Sequence, residues 1–335
     1  MRIFSACLLL IMLISACNPA TPVTPTVERP TSKVESPTWT YTLPRTRATA
    51  SPTVTQTGTP TKVPCDTLQS YCLEEGHFKL SRPIALPGTI SIDRGYPYGS
   101  TEGGSRDPHH GVEFNNASGT PVLAAADGTV VVAGDDSQKT YAAYPDSYGN
   151  LVILEHHFPE PDQTIYTLYG HLSKVEVQLG QKVHQGDEIG KVGSSGVAIG
   201  SHLHFEVREG ANDYDSNRNP LLWLKPLQDT SGNADGLLAG RLEDQQGNAI
   251  HTDAVNIQYF PDPLGPASSA WPVETYDVLE RHPVQGDDRW HETFVLGDLR
   301  PGNYRLSLIW GGKLYERWVK VAAGQLTYLK MRMDR

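Results

Sequence analysis

The sequence predicts an all-β protein, two β-sheet domains behind a long N-terminal tail, and three observations predict it. Between Cys65 and about Asp229, short runs rich in β-forming residues (Thr129 to Ala133, Leu151 to His156, Thr164 to Tyr169, Leu203 to Arg208) alternate with Gly and Asp-Gly punctuation, as at Gly119, Asp127-Gly128, Gly149-Asn150 and Gly186-Asp187. No long apolar period of 3.6 residues appears. From about Gly236 a second set of strands begins, in which Tyr304, Leu306, Leu308 and Trp310 fall on one face before Gly311-Gly312 turns the chain into the next run.

Taken in order, the first element is not a strand. Arg2 precedes an apolar stretch from Ile3 to Ile14, and Ser15-Ala16-Cys17 supplies small residues at its end, the pattern of an export signal. Leu13-Ile14-Ser15-Ala16-Cys17 also resembles the lipobox of bacterial lipoproteins. That resemblance implies cleavage before Cys17 and a lipid on it, with residues 1–17 as the signal peptide and the protein held on the extracytoplasmic side of a membrane, in the cell envelope.

Residues 18–64 follow. Thr and Pro make up about half of them and Trp39 and Tyr41 are their only aromatics, so the stretch cannot bury enough surface to fold and is expected to be a disordered stalk. As extended polyproline II at ~3.1 Å per residue it would span up to roughly 140 Å, and as a flexible coil about 40 Å.

With Cys7 in the signal and Cys17 carrying lipid, Cys65 and Cys72 remain and can pair. Outside the cytoplasm a disulfide across so short a loop is worth roughly 2 to 3 kcal/mol on the chain-entropy estimate. Residues 65–228 are then expected to form an antiparallel β-sandwich or flattened barrel, and residues 229–335 a second small β-sandwich. Its last strand places Leu329, Met331 and Met333 on one side.

Length and charge limit the function. A chain of 335 residues holds two compact domains and a tail. A net charge of -10 leaves no broad basic surface for polyphosphate, which excludes nucleic acid as a partner. After the first twenty residues no apolar run approaches the ~20 needed to cross a bilayer.

Three clusters hold most of the histidines of interest: Arg106 to Phe114 ("RDPHHGVEF"), Tyr169 to Ser173 ("YGHLS") and Gly200 to Glu209 ("GSHLHFEVRE"). In the last, His202 and His204 project to one face of a pleated strand while Leu203 and Phe205 point into the core. In the first, His109 and Glu113 share a face if the segment is extended, with Gly111 between them. A catalytic zinc site needs three protein ligands and one open position. His109, Glu113 and one of the pair His202 and His204 meet that count, and the remaining imidazoles can carry protons or donate to a developing oxyanion. For His110, His156 and His157 a structural role is the expectation.

From about Tyr96 to Leu224 the chain resembles the lysostaphin-type, or LytM-like, zinc endopeptidases of peptidoglycan. The resemblance is carried in order by "HHGVEF", "GTPVLAAADGTVVVAG", "YGHLS" and "LGQKVHQGDEIGKVGSSGVAIGSHLHFEVR". It implies a sandwich or barrel of duplicated hybrid-motif type, zinc held by His109, Glu113 and His204, and catalytic roles for His171 and His202. It also implies a monomer acting on the peptide part of peptidoglycan. The family's acidic ligand is usually Asp; Glu113 carries its carboxylate about one methylene further out, and catalytic sites tolerate displacements of about 1 Å poorly.

The C-terminal pieces "LGDLRPGNYRL" and "VKVAAGQLTYLKM" resemble carboxypeptidase regulatory-like β-sandwiches, expected to shield and orient the peptidase. Two other classes compete with hydrolysis. One is a non-catalytic peptidoglycan-binding or amidase-activating protein on the same fold, which Glu113 favours. The other is a lipoyl- or sugar-phosphotransfer-type domain, against which stands the lack of a Lys flanked by Met near Gly149.

Overall fold

A computed structural model describes residues 65–159, 162–276 and 283–334; the signal-like segment with Cys17 and the Thr/Pro-rich segment 18–64 lie outside the described residues. The first eleven strands are β1 (Tyr71–Glu74), β2 (Val112–Asn115), β3 (Pro121–Leu123), β4 (Gly128–Asp135), β5 (Asn150–Pro159), β6 (Asp162–Gly170), β7 (Leu172–Val175), β8 (Lys182–Val183), β9 (Glu188–Val192), β10 (His202–Glu209) and β11 (Asn217–Arg218). Seven more follow: β12 (Gly236–Glu243), β13 (Val255–Phe260), β14 (Ser269–Val273), β15 (Phe294–Leu299), β16 (Gly302–Trp310), β17 (Lys313–Val321) and β18 (Leu326–Arg332). Among the described residues the only helical elements are two 3₁₀ turns, Tyr214–Ser216 and Pro220–Leu222. The all-β expectation therefore holds, and each of the four runs read from sequence lies within β4, β5, β6 or β10.

A seven-stranded sheet in the order β11-β10-β6-β5-β4-β8, with β2 on the free part of β10, faces a three-stranded sheet β3-β9-β7. Their pairings are antiparallel. Alternation drives this packing: Leu203, Phe205 and Val207 enter the core with Val112, Phe114, Val122 and Ile189, all fully buried. Each fully buried aliphatic or aromatic side chain contributes roughly 1.5 to 3 kcal/mol of transfer free energy.

The C-terminal strands form two sheets, β14-β13-β16-β17 and β1-β18-β12-β15, over a second core that includes Ile257, Leu306, Leu329, Met331 and Met333. Gly311 and Gly312 both take positive φ, 56° and 78°, which the tight turn between β16 and β17 requires. Two pairings were not expected. β12 and β18 run parallel, and β1 adds to the edge of β18, with Cys72 opposite Tyr328. The disulfide Cys65–Cys72 is formed and staples the approach to β1.

The first core does not stop at the catalytic-type sheets. Tyr276, Val284, Trp290 and Val295 pack into it, and the described residues from Cys65 onward fall in one compact unit. Trp290 is thus a core residue, while Tyr259 and Trp271 are half-buried against the second core.

Candidate metal centre

Strand β10 carries the site. His202, His204, Glu206 and Arg208 occupy alternate positions and point to the face opposite Leu203, Phe205 and Val207, yet all seven are buried. Strand β2 pairs with β10 so that Glu113 stands opposite His204, and β6 lies on the other side with Gly170 opposite His204. His109 reaches the same point from the segment entering β2. Its backbone is pinned by two hydrogen bonds, from His109 N to Ser100 O (3.0 Å) and from Gly99 N to His109 O (2.8 Å).

The three side chains converge. His109 Nε2 is 2.9 Å from Glu113 Oε1 and 3.2 Å from His204 Nδ1, and His204 Nδ1 is 3.1 Å from Glu113 Oε1. Each offers one ligand atom within 4.8 Å of the others. A tetrahedral ion with bonds of ~2.0 to 2.1 Å separates its ligand atoms by about 3.3 Å. The triangle is close to that size, two imidazoles and a carboxylate are a zinc donor set, and the buried Glu113 Oε2 has no hydrogen-bond partner. These residues fit a divalent ion such as Zn2+.

The histidine tautomers are set by what lies behind them. His109 Nδ1 donates to Tyr96 O at 3.0 Å, leaving Nε2 as the donor atom toward the cluster. His204 Nε2 lies 3.0 Å from Glu206 Oε1, leaving Nδ1. Glu206 is itself held by the Tyr148 hydroxyl and by Arg208, whose Nε is 2.9 Å from Oε2. A ligating imidazole whose second nitrogen donates to a carboxylate is oriented and made more basic.

Gly111 allows the close packing of β2 on His204. A Cβ there would stand 2.6 Å from Phe205 O and 2.8 Å from Cε1 and Nε2 of His204.

Charge follows geometry. Burial works to raise the Glu113 carboxyl, but the His204 and His109 imidazoles hold it well below the usual carboxylate range. Burial likewise opposes the charge on His204, yet Glu113 and Glu206 outweigh it and lift the imidazole to about 9. For Glu206 burial is outweighed by Arg208 and His204, and the carboxyl is strongly depressed.

His171 and His202 flank the triangle, with ring centroids 4.8 Å apart. His171 sits between β6 and β7 with φ of 59°, a strained backbone for a non-glycine residue, held by His171 N to Tyr148 O (2.8 Å). Its Nδ1 donates to Ser195 O at 2.8 Å, which leaves Nε2 as an acceptor. Burial pushes its pKa down to about 4, helped by His204 and His202. His202 Nε2 lies 3.1 Å from Glu113 Oε2 without making a hydrogen bond to it, so one oxygen of the longer acidic side chain faces the triangle and the other faces His202. Burial lowers the His202 imidazole.

All five residues line one open groove of about 940 Å³. Tyr96, Glu102 and Arg106 lie on its wall, as do Ala142, Tyr144 and Tyr148 from the loop between Asp135 and Asn150 and the exposed Val197 and Ile199.

The other histidines separate. His156 is buried between Asp127 O (2.8 Å) and Thr167 Oγ1 (2.7 Å), while His157 is mostly exposed beside Asp162, and neither lines the groove. His110 is buried against the Tyr214 ring and also faces the groove. Sequence reasoning missed Glu206, Arg208 and Tyr148. The first two were within reach, because the polar stripe at every second position of β10 simply continues past His204.

The fold and donor set make this a candidate metal centre built on a β-sheet. Residues 107–217 match the model of Peptidase family M23. The chain is 40% identical over 100 residues to the peptidoglycan DD-endopeptidase ShyA of Vibrio cholerae, covering 30% of this chain and 20% of that protein. It is 39% identical over 129 residues to an uncharacterized metalloprotease of Haemophilus influenzae, covering 38% of this chain and 24% of that protein. The glycyl-glycine endopeptidase ALE-1 of Staphylococcus capitis is 35% identical over 136 residues, 39% of this chain and 33% of that protein. The match thus spans only a fifth to a third of the length of these relatives.

Proposed function

We propose that this chain is a zinc-dependent endopeptidase that hydrolyses peptide bonds in the stem peptides or cross-bridges of peptidoglycan. The observation that carries the reading is the triangle of His109 Nε2, Glu113 Oε1 and His204 Nδ1, with edges of 2.9 to 3.2 Å at the floor of an open groove. When bound, zinc supplies Lewis acidity to a carbonyl and lowers the pKa of water toward neutrality. The residues around it do the rest. Neutral His171, with Nδ1 tied to Ser195 O, can take a proton at Nε2. His202 lines the groove with Nδ1 3.3 Å from Gly200 O and Nε2 3.1 Å from Glu113 Oε2, and Nε2 is the nitrogen that would donate to a developing oxyanion once Glu113 turns to the metal. An extended peptide fits a groove with apolar Val197, Ile199 and Tyr144 at its rim and the Glu102 and Arg106 pair on its wall. The relatives' names specify different bonds, so the fold does not set which bond is cut.

The reading includes lipid attachment at Cys17, residence in the cell envelope on the extracytoplasmic side of the membrane, and action as a monomer, with domains at residues 65–228 and 229–335 behind the stalk. Cys17→Ser would remove incorporation of labelled fatty acid and release the protein from membranes. Unchanged labelling would sink the anchor.

The activity is tested by zinc content and release of soluble muropeptides from purified sacculi. The parent should hold about one zinc per chain and release fragments. His204→Ala should lose both, and His171→Ala should keep zinc and lose release. Zinc without release, or neither, would point instead to a non-catalytic wall-binding or amidase-activating protein, and Glu113→Asp would then tell whether the longer ligand is the cause.

A further inference from the structure

We propose that Glu274, at the end of β14 in the C-terminal module, is a positioning residue for the metal centre, so that the second module is a structural part of the peptidase site and not an appended one. The proposal rests on the reading of His109 as a metal ligand.

The segment from Tyr96 to Thr101 is the bed on which His109 lies. It supplies the carbonyl of Ser100 to His109 N, donates from Gly99 N to His109 O, accepts from His109 Nδ1 at Tyr96 O, and stacks the Tyr96 ring on the imidazole at 4.0 Å. Tyr96 to Thr101 forms no strand, so no sheet ladder holds it in place.

Its hydrogen bonds to the C-terminal module lie on the far side. Glu274 Oε2 accepts from Ser100 Oγ at 2.9 Å and from Thr101 N at 3.1 Å, and its Oε1 accepts from Thr101 Oγ1 at 2.5 Å. One carboxylate thus gathers three donors from two adjacent residues. Charge-assisted bonds to a carboxylate are about twice as strong as neutral ones.

Thr101 passes the constraint on in a second direction. Its Oγ1 accepts from Gly104 N (2.8 Å), and its carbonyl accepts from Ser105 N (3.0 Å) and Arg106 N (3.1 Å). These residues form the groove wall. Glu274 therefore holds both the backbone under a ligand and the surface a substrate would touch.

The neighbouring contacts share the same design. Tyr276 of the module packs so closely on Gly99, which has φ of 80°, that a Cβ there would lie 2.6 Å from its ring. The buried Tyr98 hydroxyl bonds to Asn217 Oδ1 and donates to Gln285 O at 2.9 Å. Asn217 Nδ2 in turn lies 3.1 Å from His110 Nδ1.

The test uses the full chain and three readouts: zinc affinity against a competing chelator, the KM and kcat of muropeptide release, and amide hydrogen exchange of the zinc-free protein. Glu274→Ala should weaken zinc about tenfold, as loss of an outer support does, raise KM together with lowering kcat, and speed exchange at Thr101 and His109. Glu274→Gln, which keeps one acceptor oxygen, should fall between the two. Arg305→Ala, which cuts the Arg305 contacts to Gln258 and Glu316 elsewhere in the sheet of β14 without touching Glu274, should lower thermal stability and leave zinc affinity unchanged. If Glu274→Ala does not fold, Thr101→Val removes the Oγ1 bond to Glu274 from the peptidase side and should give the same three changes in smaller measure. Zinc affinity, KM and exchange all equal to the parent's in either variant would overturn the proposal. A parent that binds no zinc would overturn the peptidase reading instead, and the exchange experiment alone would then decide whether Glu274 positions the segment.

Discussion

His204 Nε2 stands 3.0 Å from Glu206 Oε1, two residues further along the same strand and on the same face. Because Glu206 also takes Arg208 and the Tyr148 hydroxyl, the imidazole is fixed from behind by a buried charged network with its other nitrogen facing Glu113. Removing the charge of Glu206 should weaken zinc binding about 10- to 100-fold. Glu206→Gln should also lower stability by about 3 to 5 kcal/mol, since Arg208 is left buried without its counter-charge. Chelator competition and thermal unfolding measure the two effects, and unchanged zinc affinity would show that His204 needs no such support.

Gly111 is the tightest point of the site. In Gly111→Ala the new methyl group would meet Phe205 O at 2.6 Å and the His204 ring at 2.8 Å. Relief requires β2 and β10 to part or the ring to turn, so zinc affinity should fall at least about tenfold and stability by about 1 to 3 kcal/mol. A zinc titration of the variant equal to the parent's would mean the strand yields without cost.

Zinc binding should depend on pH with a definite sign. In the metal-free protein Glu113 and Glu206 overcome burial and lift His204 to about 9, above its ordinary 6.5. Below about 9 the ion must displace that proton, so affinity should rise by about tenfold per pH unit from pH 6.5 to 9 and then level off. The metal-free fold shows the reverse trend. The folded pKa is raised, so the stabilisation is complete below 6.5 and is lost as pH rises through 9. Calorimetry at several pH values, with and without chelator, checks both slopes; zinc affinity independent of pH would exclude a protonated His204 as the resting state.

A second buried acid governs stability away from the zinc triangle. Burial, reinforced by the Asp287 carboxylate, raises Glu292 from its ordinary 4.5 to about 8. The folded protein keeps that proton where the unfolded chain loses it. The contribution is complete below pH 4.5 and disappears as pH rises through 8, with a size on the order of 4 kcal/mol. Glu292→Gln should therefore melt above the parent at pH 8.5 and close to it at pH 5. A constant difference across that range would remove Glu292 as the cause.

What could be read in the sequence was periodic or local. The alternation of Leu203, Phe205 and Val207 with His202 and His204 predicts the strand, its buried face and its imidazole pair from spacing alone. The turn at Gly311-Gly312 is equally local. Glu206 and Arg208 follow the same alternation, but a charged pair near a strand end reads as solvated until burial is known. The parallel pairing of β12 with β18 and the addition of β1 to their sheet join segments far apart in the chain, and such pairings leave no period behind. Glu274 is of the same kind: a lone Glu after a short strand carries no sign that its partners are Ser100 and Thr101.

The bond between Cys65 and Cys72 also has a mechanical side. Cys72 is the second residue of β1, paired with Tyr328, so tension on the chain ahead of Cys65 crosses the sulfur bridge and enters the ladder there, leaving residues 66–71 slack. The pull arrives on the sheet of β18 and β12, away from the seven strands that seat the histidines. Reduction would lengthen the lead by up to about 19 Å, the contour of the seven residues at ~3.3 to 3.6 Å each less the 5.8 Å already spanned, an extension that single-molecule pulling can register. Load arriving from that side is thereby taken up by a sheet that carries none of the five residues of the candidate metal centre and its flanks.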